Sequence, residues 1–237
     1  GKRLNKSEAS ARSGISTIVY SDEFDEMLYA IVHRAQNVYL YQPENIRMSY
    51  PVETREMKMP RKVRDRFPVK SFHSLTPLLL KLRMIKENEE VKQIRHACSI
   101  TRSALWRIMK TLKPGMREKE VEAEMVSEFT RLGSKGHAFS PIVASGLNAC
   151  YLHYTTNHGV CRDGDLLLLD FGAEWNNYAS DCSRTIPVNG KFTERQGEIY
   201  DGLLQVFYRA REMMKPGVLM QDFHDEVCRQ MEDLHID

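Results

Sequence analysis

The chain has 237 residues, 42% of them hydrophobic and 28% charged, with a formal net charge of +2. This is the composition of an ordinary globular protein, long enough for one large domain or for one domain with part of another. The near-neutral balance excludes a bulk electrostatic attraction to nucleic acid. No apolar run approaches the roughly 20 residues of a membrane helix.

Five cysteines (Cys98, Cys150, Cys161, Cys182 and Cys228) are odd in number, widely spaced and without a CxxC pair. That argues against a disulfide framework and for a reducing, cytoplasmic setting. No secretory signal is visible, and the start of the sequence leaves the true N-terminus open.

In chain order, the β-branched stretch STIVYS at 16–21 reads as a strand and 25–33 has helical spacing. NVYLYQ at 37–42 reads as a second strand, closed by Pro43. The proline-punctuated, charged stretch 51–77 reads as a connecting region. Its basic run, Arg61, Lys62, Arg64 and Arg66 interrupted by Asp65, reads as solvated surface. Residues 1–80 are therefore expected to be the end of a larger α/β domain, with a second domain over 81–237.

From Arg83 the period changes. A long helix is expected over 84–112, with Val91, Ile94, Cys98, Leu105, Ile108 and Leu112 on one face. Lys113-Pro114-Gly115 ends it. A second amphipathic helix covers 118–132 and Gly133 closes it. Strands are expected at 139–144, 151–154, 165–175 and 178–188, followed by helices at 193–214 and 220–234. The pattern helix, Lys113-Pro114-Gly115, helix recurs as helix, Lys215-Pro216-Gly217, helix, with Val121, Glu124 and Met125 matching Phe223, Glu226 and Val227. In the first unit strands follow the second helix, whereas the second unit stops at Asp237, so a duplicated architecture is expected to lack its second sheet half here.

The chemistry concentrates in LLLLDFGAEWNNYASDCSRTIPV, 166–188, which reads as two strands around a turn at Asn176-Asn177. If Trp175 pairs with Tyr178, Asp170 falls opposite Ser183 and Asp181 opposite Gly172. Both aspartates then project from one face as diagonal neighbours. Two such carboxylates either share a proton or hold a cation, and hard divalent ions favour oxygen ligands. The bland alternative is two exposed strand acids, or Asp181 serving a turn. The four leucines before Asp170 favour a partnered aspartate.

Other candidates read more simply. His158 and Cys161 near His153 fit no common zinc spacing and read as loop residues. His224 and Cys228, four apart on a helix, read as packing. Gly159 and Gly164 frame a turn, not a phosphate loop. Trp106, Phe207 and Tyr208 read as core. Arg184 either orients a carboxylate or is a plain surface arginine.

LLLLDFG, its spacing to SDCSRT, and PVNGKFTERQGEIY resemble the Xaa-Pro aminopeptidases of the pita-bread metallopeptidase family. So do IVASGLNACYLHYTTN, CRDGDLLLLDFG and the helix beginning RMIKENEEVKQIRHA, and the resemblance covers essentially the whole chain. It implies an α/β (α+β) pita-bread fold, first half, preceded by the end of a smaller creatinase/prolidase-like α/β domain. It implies hydrolysis of the bond between an N-terminal residue and a proline at position two. Two divalent ions, Mn2+ by family habit, would activate water and polarise the scissile carbonyl. Asp170 resembles the carboxylate that chelates one metal and Asp181 the one that bridges both. His153 resembles the histidine that faces the substrate near the scissile bond. The remaining histidine and two glutamates of the family's centre have no counterpart here, so a complete two-metal site is not expected. A homo-oligomer is implied as well. The alternatives are an Xaa-Pro dipeptidase, a metal-free creatinase-like hydrolase, or a non-catalytic binding module.

Overall fold

The structure, a computed structural model, describes residues 3–42 and 53–234. Its contacts divide into two units, Gly1–Lys86 and Glu87–Asp237.

In the first unit, Asn5 and Glu8 cap helix α1, Lys6–Ser13, reciprocally: the Glu8 amide donates to Asn5 Oδ1 and the Asn5 amide to Glu8 Oε2. Helix α2, Phe24–Arg34, follows as the spacing predicts. Strand β1, Asn37–Leu40, pairs in parallel with β2, Ser71–Ser74, and helix α3, Arg55–Arg66, lies between them in sequence. Helix α4, Thr76–Met84, closes the unit. Val32, Val38, Leu40 and Val63 form its core.

Two expectations are corrected here. The 16–21 stretch carries no strand, because none of the described residues pairs with it, and β-branched residues make a strand only where they can pack on neighbours. The 51–77 stretch is not a mere connection but supplies α3 and β2. Pro60 lies inside α3, and its burial beside Val63 offsets the helix-breaking cost of the ring. Pro43 and Pro51 fall outside the described residues. The basic run is exposed along α3, where Lys62 meets Asp25 at 2.8 Å and Arg61 meets Glu53 at 3.1 Å.

The second unit opens with α5, Asn88–Thr111, and α6, Glu118–Arg131. The expected 84–112 helix is broken: Met84 ends α4, and Ile85 to Glu87 run extended. The Glu87 amide donates to Glu90 Oε2, which fixes the new start. Strands β3, Gly136–His137, and β4, Ile142–Ser145, lead into a 3₁₀ turn, Gly146–Cys150. Then come β5, Leu166–Phe171, β6, Ala173–Trp175, β7, Tyr178–Ala179, and β8, Cys182–Pro187. They form two three-stranded antiparallel sheets, β3-β6-β7 and β4-β5-β8. Helices α7, Glu194–Met213, and α8, Met220–Glu232, finish the described chain.

Alternation along β5 builds the core. Leu167, Leu169 and Phe171 are fully buried beneath Ile100, Ile108, Val121, Met125 and Phe129 of α5 and α6. Leu166, Leu168 and Asp170 face the other way and are only half-buried. Trp106, Phe207 and Tyr208, expected in the core, are instead 57%, 52% and 46% exposed. Trp106 lies across the helix from Ala104 and Ile108, which take the buried stripe.

The two Lys-Pro-Gly segments share one geometry. Gly115 has φ +93° and Gly217 φ +94°, and the amides of Met116 and Val218 bond back to the carbonyls of Lys113 and Lys215. These are type II turns with proline and a left-handed glycine at the central positions. Val121 and Met125 are buried, whereas their counterparts Phe223 and Val227 are only partly covered.

Candidate metal centre

The turn at Asn176-Asn177, both with positive φ, sets the ribbon. Trp175 pairs with Tyr178 and Asp170 with Ser183, so the register inferred from the sequence holds on both sides of Gly172. Between these pairs the Ser180 amide donates to the Ala173 carbonyl at 3.0 Å, leaving no net bulge. The expected single strands, 165–175 and 178–188, are nevertheless each split, at Gly172 and at Ser180–Asp181.

The split has a physical cause. Ser180 is buried and its hydroxyl lies 2.6 Å from Thr101 Oγ1 on α5. Both oxygens receive the Ala173 amide, at 3.0 and 2.9 Å. Because Ser180 points toward α5, its neighbour Asp181 points away and is exposed. Asp170 follows the same logic, lying between buried Leu169 and Phe171 but facing the opposite side. The two aspartates therefore share the open face. Burial pushes the Cys182 thiol upward, the Arg184 charge opposes this, and the charges of Asp181 and Asp170 add to the rise.

Two carboxylates on one face form a hard oxygen donor pair suited to a divalent ion. Among the described residues, no group of three or more His, Cys, Asp or Glu is placed to hold a metal. Two carboxylates by themselves are fewer donors than a divalent centre needs.

His153 does not sit on a strand. The expected strand at 151–154 is a turn, and His153 has φ +55°, a left-handed conformation that ends β pairing. Its side chain is exposed. The remaining candidates do not join a site. Cys161 is fully buried, and burial pushes its thiol up to about 11. His158 bonds to Thr156 and lies 3.4 Å from the Tyr154 hydroxyl. His224 and Cys228 meet at 3.6 Å on an exposed face of α8. Arg184 donates to the carbonyl of its neighbour Ser183 and, among the described residues, to no carboxylate.

The sequence reading missed two groups. Glu118 is fully buried at the start of α6 and accepts four hydrogen bonds. An acid in the first helical turn is so common that nothing marks this one. His137 has both ring nitrogens buried without a hydrogen-bond partner among the described residues, and its ring meets Phe129 edge-on at 5.2 Å.

Burial lowers the affinity of His137 for a proton; the Glu122 charge opposes this and the Lys119 charge adds to it. The unfolded chain therefore binds that proton more readily than the native one. Its contribution to stability is full above the ordinary histidine value of about 6.5 and is lost as pH falls below it. We expect the urea midpoint to drop between pH 7 and 5.5, and that component of the drop to vanish in His137→Leu. Equal slopes in the two proteins would show that His137 does not titrate in this range.

Comparison with known proteins identifies the family of the chain. The model of metallopeptidase family M24 matches residues 92–236, and the chain belongs to that family. It is 35% identical over 232 residues to an Xaa-Pro aminopeptidase of Escherichia coli K12, covering 98% of this chain and 53% of the relative. An Xaa-Pro aminopeptidase of Haemophilus influenzae is 41% identical over 153 residues, 65% of this chain and 36% of its own. In structure, the chain matches the aminopeptidase P of E. coli with a TM-score of 0.87 at 32% identity, over 99% of this chain and 53% of that one. Proline aminopeptidase P II from Yersinia pestis gives 0.84 at 32% identity, over 99% and 54%. The mixed helix and strand architecture is thus that of the pita-bread metallopeptidases, and the matches span about a third to about half the length of these relatives.

Proposed function

We propose that this chain is part of a metal-dependent aminopeptidase that releases the N-terminal residue from peptides with proline at position two. The observation that carries the reading is the unbroken register across Gly172 and Asp181, which turns both aspartates to one face in a member of a metallopeptidase family. Residues 1–80 would be the end of an N-terminal domain and 81–237 the first half of the catalytic one.

In this reading Asp170 and Asp181 would hold the divalent ions, Asp170 serving one and Asp181 both, with Mn2+ as the resident metal. When bound, such ions would supply Lewis acidity for the scissile carbonyl and lower the pKa of water. Further ligands would be needed to complete the coordination. His153, raised on its left-handed turn, presents its imidazole to the substrate and donates a hydrogen bond to the carbonyl oxygen as negative charge develops on it. A bond to proline lacks an N–H and has a fixed φ, so a dedicated site suits it better than a general protease cleft. The enzyme acts in the cytoplasm as a homo-oligomer, and its partner is the peptide.

The experiment compares cleavage of an Xaa-Pro-Xaa tripeptide and an Xaa-Pro dipeptide by the full-length gene product, with and without Mn2+. Manganese-dependent release of the first residue from the tripeptide is expected. Preference for the dipeptide assigns a dipeptidase instead. Absence of both bound metal and turnover assigns a binding module.

A further inference from the structure

The Glu118 carboxylate is fully buried, and among the described residues its hydrogen-bond donors are uncharged. It is surrounded by donors from one segment of chain far away in sequence. Its Oε1 accepts from the Ser145 amide at 2.8 Å and from Asn148 Nδ2 at 2.9 Å. Its Oε2 accepts from the Gly159 amide at 2.7 Å and from the Tyr154 hydroxyl at 2.8 Å. Four donors on one carboxylate satisfy its lone pairs and make its burial tolerable.

These donors bracket the turn that carries His153. Ser145 and Asn148 lie before it, Tyr154 directly after it, and Gly159 at the far end. The fit is close: a methyl group on Gly159 would come within 2.9 Å of Glu118 Oε1 and 2.5 Å of Asn148 Nδ2. Neighbouring groups fasten the same segment. Asn157, buried and left-handed with φ +47°, receives the Val143 amide and donates to the Pro141 carbonyl. Asn148 also donates to the Tyr154 hydroxyl at 3.0 Å. Between these anchors the tip stands away from the core, with Tyr151 and Leu152 68% and 89% exposed. The position of His153 is therefore transmitted through its neighbour Tyr154 and the closing residues of the loop.

We infer that Glu118 is a positioning residue for His153: its buried carboxylate gathers both limbs of the loop and holds the left-handed turn that aims the imidazole. The inference rests on the role proposed above for His153 as the side chain facing the substrate. A carboxylate is required because all four partners are donors. An amide in its place turns an N–H toward at least one of them, leaving a buried donor facing a donor.

The experiment is a double-mutant cycle in the full-length, manganese-loaded gene product, with an Xaa-Pro-Xaa tripeptide as substrate. Glu118→Gln is expected to lower kcat by ~10- to 100-fold through misplacement of His153, with KM and metal content little changed. In a His153→Ala background the same substitution is expected to cost almost nothing more, because the group it positions is gone. Equal, additive losses in the two backgrounds would overturn the inference, leaving Glu118 a purely structural residue. If Glu118→Gln does not fold, Tyr154→Phe, which removes one of the four donors, carries the same cycle with a smaller loss. Unchanged turnover in His153→Ala would overturn both the inference and the assignment of His153. If the gene product cleaves neither peptide, the enzymatic reading falls by itself. The His153 Cε1 proton resonance then decides: broadening or splitting in Glu118→Gln supports the positioning role, and an unchanged line overturns it.

Discussion

Asp181→Asn in the full-length protein is expected to lower kcat/KM on an Xaa-Pro-Xaa peptide by more than about a hundredfold, since groups merely supporting a metal ligand already cost ~10- to 100-fold when lost. Measured metal content should fall with it. The substitution keeps the side chain's size and removes its charge, and the amide is a far weaker partner for a hard cation. Stability should hardly change. Asp181 is exposed, and the local backbone is fixed by its neighbour Ser180, whose hydroxyl is held by Thr101 on α5. Loss of metal and turnover at an unchanged urea midpoint would therefore locate the defect at the open face. Near-full turnover with metal still bound would remove Asp181 from the centre and, with it, the functional meaning of the shared face. Because the pair is reciprocal, Asp170→Asn should lose metal as well. Asp170 is half-buried between packed core residues, so a small change in stability should accompany its loss.

The face was legible in the sequence because hairpin register is set by the turn. Once Asn176-Asn177 is taken as a two-residue connection, every pairing from Trp175–Tyr178 to Leu166–Pro187 follows by counting, and the structure repeats that count. The α5 and α6 stripes were legible for the same reason, a regular period ended by proline and glycine. Where local preference had no regular partner to meet, it misled. STIVYS has the residues of a strand but no neighbour to pair with among the described residues, and YLHY at 151–154 is pulled into a turn by contacts with residues tens of positions away. The same distance hid Glu118. Its partners lie 27 to 41 residues further on, and no spacing within the helix points toward them. Trp106 erred in the other direction: size suggested core, but its angular position on α5 left it outside the buried stripe.

Gly172→Ala is expected to destabilise the second unit by about 3 kcal/mol or more, measured from its urea unfolding curve. Glycine stands at the point where β5 gives way to β6, and a Cβ there would lie 1.7 Å from the Ser180 carbonyl oxygen and 2.6 Å from its carbon. The obstructing atoms are backbone, so no rotamer change can relieve the clash. Neither strand is free to retreat. Ser180 is tied to Thr101 and Ala173, and the Gly172 carbonyl accepts the Ala138 amide at 2.8 Å. On the other side, Phe171 is packed at 0% exposure against Phe129. The strain must therefore open the ribbon between Asp170 and Asp181 or break the Thr101–Ser180 contact, and either displaces one carboxylate relative to the other. Metal affinity in the full-length protein should weaken in the folded fraction, not merely in proportion to unfolding. A loss under ~1 kcal/mol would mean that the strands separate freely at this point. The close approach of Gly172 to Ser180 would then not be what holds the two aspartates in register.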